Sequence, residues 1–293
     1  MYIVIDGGTT NTRIYTVDKS RVSLYARAEV GAGKNSGLAE FVGSALSGLS
    51  AAENTPVIAS GMITSASGLY DLPHLCAPAG IRELHDGIKK AVIPQIGGRE
   101  ICFIPGVRTD SDMMRGEETE LAGLTDEFLP DCAYILPGTH SKCVQIDCSG
   151  KISEFFTMLT GELLSAVKTG TIAGKSFSFC DTFVPEYLFS GFEFCREYGI
   201  NEALFRCRTL AVLQGCTEEE VYSFCLGAVL CGETERINKI SANKIIFAGK
   251  KELREPEALL MRTYYRKEVH CLSEETCKNA VALGAVRIYE FHG

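Results

Sequence analysis

"MYIVIDGGTTNTRIYTVD", residues 1–18, is the stretch that decides the fold. Two β-prone runs, Tyr2 to Ile5 and Ile14 to Val17, flank one aspartate, two glycines, two threonines and an asparagine. A plain β-hairpin bent at Gly7-Gly8 is one account of it. A tight hairpin needs only two loop residues, however, and this chain spends Asp6 through Asn11. Gly7 and Gly8 let the backbone come close to a ligand. Thr9, Thr10 and Asn11 add donors that suit phosphate oxygens. Asp6, at the end of an apolar strand, is placed to hold a cation or a metal-bound water.

The pattern recurs in the second half, where residues 133–159 read "AYILPGTHSKCVQIDCSGKISEFFTML". This is again an apolar strand, a hydroxyl-rich Gly-Thr turn and two further strand-like runs. With Gly138-Thr139 placed on Gly8-Thr9, Val144 falls on Ile14, and Asp18 and Asp147 miss by one position. The likeness is architectural.

The surrounding segments continue the duplication. A helical pattern, "GLAEFVGSALSGL", follows the first three strands, and strands follow at "PVIASGMI" and "EICFIPGV". After the second three strands come helical "GELLSAVKTGTI" and a mostly helical insert to about residue 240, including "EALFRCRTLAVLQG" and "VYSFCLGAVLCGET". Strands "KIIFAG" and "EVHCL" precede a closing helix, "SEETCKNAVALGAVRIYEF". Ser273 is its expected N-cap, and Cys277, Val281, Gly284, Ile288 and Phe291 its apolar stripe. The expected fold class is α/β, with two similar domains, residues 1–131 and 132–293, and a cleft between them. The boundary falls near "FLPD" (128–131), and the final helix, 273–291, is expected to pack back toward the N-terminal domain. Residues 6–13, 114–118 and 136–142 are expected to line the cleft.

Composition agrees with a soluble globular protein. The 293 residues suit roughly two domains. Apolar residues make up 46% and charged residues 23%. A net charge of −8 without any Lys/Arg run argues against nucleic-acid and anionic-membrane partners. No signal peptide is visible, and no segment holds the ~20 apolar residues that span a bilayer. The 13 cysteines are scattered, show no C-x-x-C spacing and sit partly inside apolar runs. They read as small hydrophobes in a reducing compartment, so a cytoplasmic location is expected.

Two facing Gly-Thr hairpins suit phosphoryl transfer, in which catalysis is mostly positioning and charge stabilisation. "DGGTTNTR" and "LPGTHSK" resemble the phosphate-binding loops of the actin, hexokinase and Hsp70 superfamily. "GMITSASGLYDLP" (61–73), "MRGEETELAGL" (114–124), "LPGTHSK" (136–142) and "MLTGEL" (158–163) resemble, in that order, the 2-dehydro-3-deoxygalactonokinase family. The resemblance implies two ribonuclease-H-like (actin-like ATPase) domains. It also implies ATP- and Mg2+-dependent phosphorylation of a 2-keto-3-deoxy sugar acid at its terminal hydroxyl, as in galactonate degradation. Gly7, Gly8, Thr9, Thr10 and Asn11 would then bind phosphate with Gly138, Thr139, His140, Ser141 and Lys142, and Asp6 would be the metal residue. His140 reads as a loop residue bonded locally and not as a base.

In related carbohydrate kinases a Gly-Asp-Gln segment precedes the second phosphate loop, and its Asp deprotonates the sugar hydroxyl. Here "GEE" (116–118) stands in that place, which makes Glu117 the candidate catalytic base, with Asp112 its rival. Glu117 and Glu118 also read as acids at a helix start. Arg13, Gly61, Met62, Ser65 and Arg115 are the candidates for substrate binding, since a sugar acid calls for cations and clustered donors. Arg13 reads equally as a strand residue, Ser65 as part of a polar turn, and Arg115 as an ion-pair arginine. Glu162 is either a helix cap or a residue supporting the loop. Gly249 is expected on the nucleotide side, where the family continues glycine-rich and this chain has Lys250 and Lys251 instead. Another small-molecule kinase on the same fold, or a non-catalytic nucleotide-binding regulator, are the competing functions. The preferred sugar-acid epimer and the oligomeric state, a homodimer included, stay open at this level.

Overall fold

The structure, a computed structural model, describes residues 1–32, 37–49, 55–124, 129, 131–242 and 244–292. Its contacts group the chain into two units. One is Met1–Asp131 with Gln145–Phe155 and Glu275–Gly293; the other is Cys132–Val144 with Phe156–Glu274. Within the expected boundary "FLPD", Phe128 and Pro130 lie outside the described residues.

The first unit begins with β1 (Tyr2–Gly7), β2 (Thr12–Asp18) and β3 (Arg21–Ala28), then α1 (Leu38–Gly48) and β4 (Val57–Gly61). There follow β5 (Leu75–Cys76), α2 (Ile81–Asp86), β6 (Lys89–Ile93), β7 (Arg99–Phe103), β8 (Val107–Arg108), β9 (Met113–Met114) and α3 (Glu117–Leu124). A six-stranded sheet runs β3-β2-β1-β4-β7-β6, and a small one runs β5-β8-β9. β1 is antiparallel to β2 and parallel to β4, and β4 is parallel to β7. Central parallel strands are covered on both faces and read as continuous apolar runs, as β1 and β4 do here. Ile3, Ile5, Val57, Ala59, Ile101 and Phe103 meet Leu38, Val42 and Leu46, which recur at helical spacing along α1. The register sets Asp6 opposite Arg13 on one side and Ser60 on the other.

Next along the chain come β10 (Cys132–Leu136), β11 (Ser141–Ile146), β12 (Ile152–Met158) and α4 (Thr160–Gly170), of which Gln145–Phe155, the end of β11 and most of β12, group with the first unit and the rest with the second. Helices α5 (Pro185–Tyr198), α6 (Ile200–Gln214) and α7 (Glu218–Asn238) form the insert, and β13 (Lys244–Phe247), α8 (Lys251–Tyr265) and β14 (Val269–Cys271) complete it. The sheet order is β12-β11-β10-β13-β14, with β10 parallel to β13 and β13 parallel to β14. Both sheets therefore place their third, second and first strands side by side and then continue with two parallel neighbours, to which the first sheet adds β6 antiparallel to β7. β2 opens at Thr12 and β11 at Ser141, 129 residues apart. Asp18 and Asp147 have the same spacing, whereas β1 and β10 open at Tyr2 and Cys132, 130 apart like Gly8 and Gly138, so the one-residue difference falls in the turn.

In the insert, α5 and α7 approach to backbone contact. A Cβ on Gly191 would stand 1.9 Å from the Phe224 carbonyl oxygen, and one on Gly227 2.0 Å from that of Leu188. Thr217 caps α7 by accepting the Glu220 N–H at 3.3 Å, while Glu220 accepts the Thr217 N–H at 2.7 Å. The closing helix, α9 (Glu274–Tyr289), belongs to the first unit and meets α3. Its buried face is Ala280, Ala282, Gly284, Ala285, Val286 and Ile288. Of the expected stripe, Gly284 and Ile288 are buried, while Cys277, Val281 and Phe291 are half-buried. Small residues dominate because the two backbones touch: a Cβ on Gly123 would lie 1.8 Å from the Ala280 oxygen, and one on Gly284 1.9 Å from the Thr119 oxygen. Among the described residues no helix is long and apolar enough to cross a membrane, and the cysteines form no disulfide.

Candidate active site

The first-unit site is built where β1 ends. Asp6 points its carboxylate at Arg13, Oδ2 to Nη1 2.9 Å, across the β1–β2 register. Burial pushes the Asp6 carboxyl up from its ordinary value, Arg13 pulls it down, and the nearby Glu117 charge adds to the rise. The turn beyond is tight: Gly8 N–H donates to the Asn11 carbonyl at 2.9 Å, and the Asn11 amide donates to Thr10 Oγ1 at 2.9 Å. Thr9 and Thr10 are exposed at its tip. No side chain fits at Gly7, where a Cβ would be 2.4 Å from that of Ile63. Gly61 has φ +84°, and a Cβ there would press to 2.6 Å on the Gly7 oxygen.

Glu117 opens α3 and accepts the Arg115 N–H at 3.0 Å. Its charge acts on Asp6, Glu118 and Glu120, so the structure brings the candidate base and the candidate metal residue into one electrostatic cluster. Glu118 is fully buried. Both its oxygens accept the Gly116 N–H, at 2.9 and 2.8 Å, and Thr119 donates at 3.0 Å. Burial and the Glu117 charge push Glu118 up to about 7, and burial with Glu117 and Asp6 pushes Glu120 up to about 8. Glu120 escaped the sequence reading, although its place three residues after Glu117 on one helix face was a signal for it.

Asp112 lies in the turn between β8 and β9. Its carboxylate accepts the Met113 N–H at 2.7 Å, and its N–H donates to Thr109 Oγ1 at 3.0 Å. Arg115 is bound to the 64–74 segment: Nη1 donates to the Thr64 carbonyl and hydroxyl at 2.6 Å each, and Nη2 to the Leu72 carbonyl at 2.8 Å. His74 Nδ1 stands 3.2 Å from Nη2, and burial, then Arg115, lowers the His74 pKa. Met62 starts a single 3-10 turn, and Ser65 Oγ donates to its carbonyl at 2.7 Å.

The second-unit site surrounds the β10–β11 turn. Gly138 N–H donates to Ser141 Oγ at 3.3 Å. The start of α4 grips the same turn, Gly161 N–H to the Gly138 oxygen and Glu162 N–H to the Thr139 oxygen, both at 3.0 Å. The Glu162 carboxylate bonds His140, and both side chains are exposed. Ser141 and Lys142 are buried in β11. Gly249, φ +86°, sits against Pro137, where a Cβ would be 2.9 Å from the carbonyl oxygen. Lys250 and Lys251 are both exposed at the start of α8. Two buried glutamates behind this turn, Glu233 and Glu257, were not singled out from the sequence.

The residues present fit Mg2+. This ion is held by one or two carboxylates, its waters and substrate phosphates, not by a full protein cage. Asp6 is a half-buried carboxylate only partly compensated by Arg13, with Glu117 adding negative potential. Among the described residues no group of three or more His, Cys, Asp or Glu forms a cage.

The family model for 2-keto-3-deoxy-galactonokinase matches residues 6–283. A 2-dehydro-3-deoxygalactonokinase of Escherichia coli (strain K12) is 29% identical over 258 residues, spanning 83% of this chain and 82% of that protein. A solved structure of a candidate 2-dehydro-3-deoxygalactonokinase from Sinorhizobium meliloti superposes with TM-score 0.80 at 20% identity, covering 100% of this chain and 98% of that one. The activator of 2-hydroxyisocaproyl-CoA dehydratase from Clostridium difficile, solved with ADPNP bound, gives TM-score 0.51 at 13% identity over 98% and 92% of the two chains. The fold class is thus the expected one, α/β with two similar actin-like ATPase domains.

Proposed function

The chain belongs to the 2-keto-3-deoxy-galactonokinase family, and from that premise we propose that it transfers the γ-phosphoryl group of ATP to the terminal hydroxyl of 2-dehydro-3-deoxy-D-galactonate, giving the 6-phosphate. The observation that carries the residue assignment is the cluster at the end of β1, where Asp6, Arg13 and Glu117 gather beside the Gly8–Asn11 turn. Glu117 takes the proton of the sugar hydroxyl as its oxygen attacks the γ-phosphorus, and ADP leaves. Gly7 to Asn11 and Gly138 to Lys142 cradle the phosphates, with Gly249 on the nucleotide side. Arg13 and the Gly61–Ser65 turn serve the sugar acid. Arg115, spent on Thr64, Leu72 and His74, holds that turn in place. Asp6 is the protein's metal residue; bound Mg2+ would supply charge neutralisation at the phosphate oxygens.

The many cysteines without a disulfide support a reducing, cytoplasmic setting, and the net charge of −8 supports small-molecule rather than nucleic-acid partners. ADP release over a panel of sugar acids, including the galactonate- and gluconate-derived epimers, tests the proposal. Release with the galactonate-derived acid is expected. Release only with an unrelated substrate, or with none, refutes it.

A further inference from the structure

Behind the second Gly-Thr turn two carboxyls are sealed from water. Glu233, in the body of α7, is 1% exposed, and Glu257, on α8, is 0% exposed. Glu233 interacts with Thr160, Ser141 and Glu257, and Glu257 with Glu233; no lysine or arginine figures among these described partners. Among the described residues neither oxygen of Glu257 receives a hydrogen bond from any donor, and the group that acts on it is the Glu233 carboxyl. A further titratable group beside the pair is the buried Cys143 thiol on β11, which also feels Arg236 of α7. Two bare carboxylates cannot face each other in such a site, because burial and mutual repulsion both penalise the charged forms. A single proton between them removes the conflict.

We propose that Glu233 and Glu257 share one buried proton and that this pair is a positioning device for the second phosphate loop, acting through Ser141 and Thr160. The inference rests on the kinase assignment of that loop.

The bonds run outward from the pair in order. Glu257 holds the proton and donates it to Glu233. Glu233 carries the charge and also accepts from the Ser141 and Thr160 hydroxyls. With its proton committed to Glu233, Ser141 Oγ turns a lone pair to the Gly138 N–H. With Thr160 anchored, the next two residues present their N–H groups to the Gly138 and Thr139 carbonyls. The pair thereby fixes three backbone groups of the turn without touching a ligand. An amide can replace a carboxylic acid as donor, but it cannot replace a carboxylate that accepts three bonds. Glu257→Gln should thus be tolerated, while Glu257→Leu and Glu233→Gln should not.

Three measurements test this on the full chain. Infrared difference spectra of wild type against Glu257→Gln at neutral pH should show a protonated-carboxyl C=O band that the variant lacks. Glu257→Gln should keep KM for MgATP within about twofold. Glu233→Gln and Ser141→Ala should raise that KM about tenfold, or ~1.4 kcal/mol, with KM for the sugar acid little changed. Ser141→Ala keeps the pair buried, so it reports even where Glu233→Gln fails to fold. Absence of the infrared band, as with two carboxylates around a trapped cation, overturns the proposal. Equal damage by Glu257→Gln and Glu257→Leu, or equal rises in both KM values, does the same. If no sugar acid is turned over, the infrared result and MgATP binding by calorimetry still decide the pair, which separates its failure from that of the kinase assignment.

Discussion

Replacing Glu117 by Gln changes one atom and separates two roles. In the structure Glu117 accepts the Arg115 N–H at 3.0 Å, a bond that a glutamine carbonyl can keep. Trading a charged acceptor for a neutral one there costs about 1 kcal/mol. Against this, the substitution removes a charge that presses on Asp6, Glu118 and Glu120, so part of that cost returns as relief of repulsion. The folded protein should melt within a few degrees of wild type. As the base, however, the lost carboxylate should slow phosphoryl transfer by roughly 10²–10⁴, equivalent to about 2.7–5.5 kcal/mol of barrier. Local stability changes are too small to produce that. The assay is single-turnover transfer at saturating ATP and sugar acid, with Asp112→Asn run beside it. Asp112 is held by Met113 N–H in the β8–β9 turn, so its amide should transfer at near wild-type rate. A fast Glu117→Gln together with a slow Asp112→Asn would refute the assignment and make Asp112 the base.

Asp6→Ala should lose most Mg2+-dependent turnover while the chain stays folded, because the Arg13 side chain it strands is 39% exposed and can be solvated; unchanged Mg2+ titration curves would remove Asp6 from the metal role. Glu118 is predicted to make stability depend on pH. Its folded value of about 7 exceeds the ordinary 4.5, so its contribution is complete below about 4.5 and is lost as pH rises through about 7, worth about 3 kcal/mol in all. Glu118→Gln should flatten that fall in urea melts at pH 4.5 to 8, and an unaltered slope would contradict it. Gly284→Ala forces a Cβ toward the Thr119 oxygen and should destabilise by about 1–3 kcal/mol, read as a lowered melting temperature; a melting temperature equal to wild type would show that α9 and α3 do not pack this closely.

What the sequence made legible was local. The first turn stood out because Asp6 to Asn11 interrupts two strands with more polar residues than a hairpin needs, and the second turn was found by comparison with it. Glu117 was reached through the segment around it. Matching the glycines reproduces the 130-residue spacing of β1 and β10, while β2 and β11, with Asp18 and Asp147, are 129 apart, so the halves differ by one residue across the turn. β6 was missed: "KKAVI" is a short edge strand with both lysines exposed, so its alternation is weak. The α9 stripe included Gly284 and Ile288 but missed the alanines: the contact with α3 uses Gly123, Ala280 and Gly284, and close backbone approach selects small residues that add little to a hydrophobic period. Glu233 and Glu257 lay beyond reach for a different reason. They sit on separate helices, and nothing in either helix pattern shows that the two carboxyls meet.

The two turns also reach the same end by different physics. The first is held by exclusion: Gly7 meets Ile63, Gly61 meets Gly7, and a Cβ on Gly31 would stand 2.5 Å from the oxygens of both Gly8 and Thr9. Any side chain at these points would displace the loop. The second has open space around Gly138 and is held by hydrogen bonds: the Gly161 and Glu162 N–H groups donate to the Gly138 and Thr139 carbonyls, and Ser141 Oγ accepts the Gly138 N–H. Phosphoryl transfer depends on donors that stay aimed while charge redistributes. A steric lock achieves that whatever the protonation state, whereas a hydrogen-bonded lock depends on one. Activity should therefore tolerate polar substitutions around the first turn's support better than glycine substitutions. Around the second turn the order should reverse at Gly138 and Ser141, where there is room for a methyl group but no substitute for the hydroxyl.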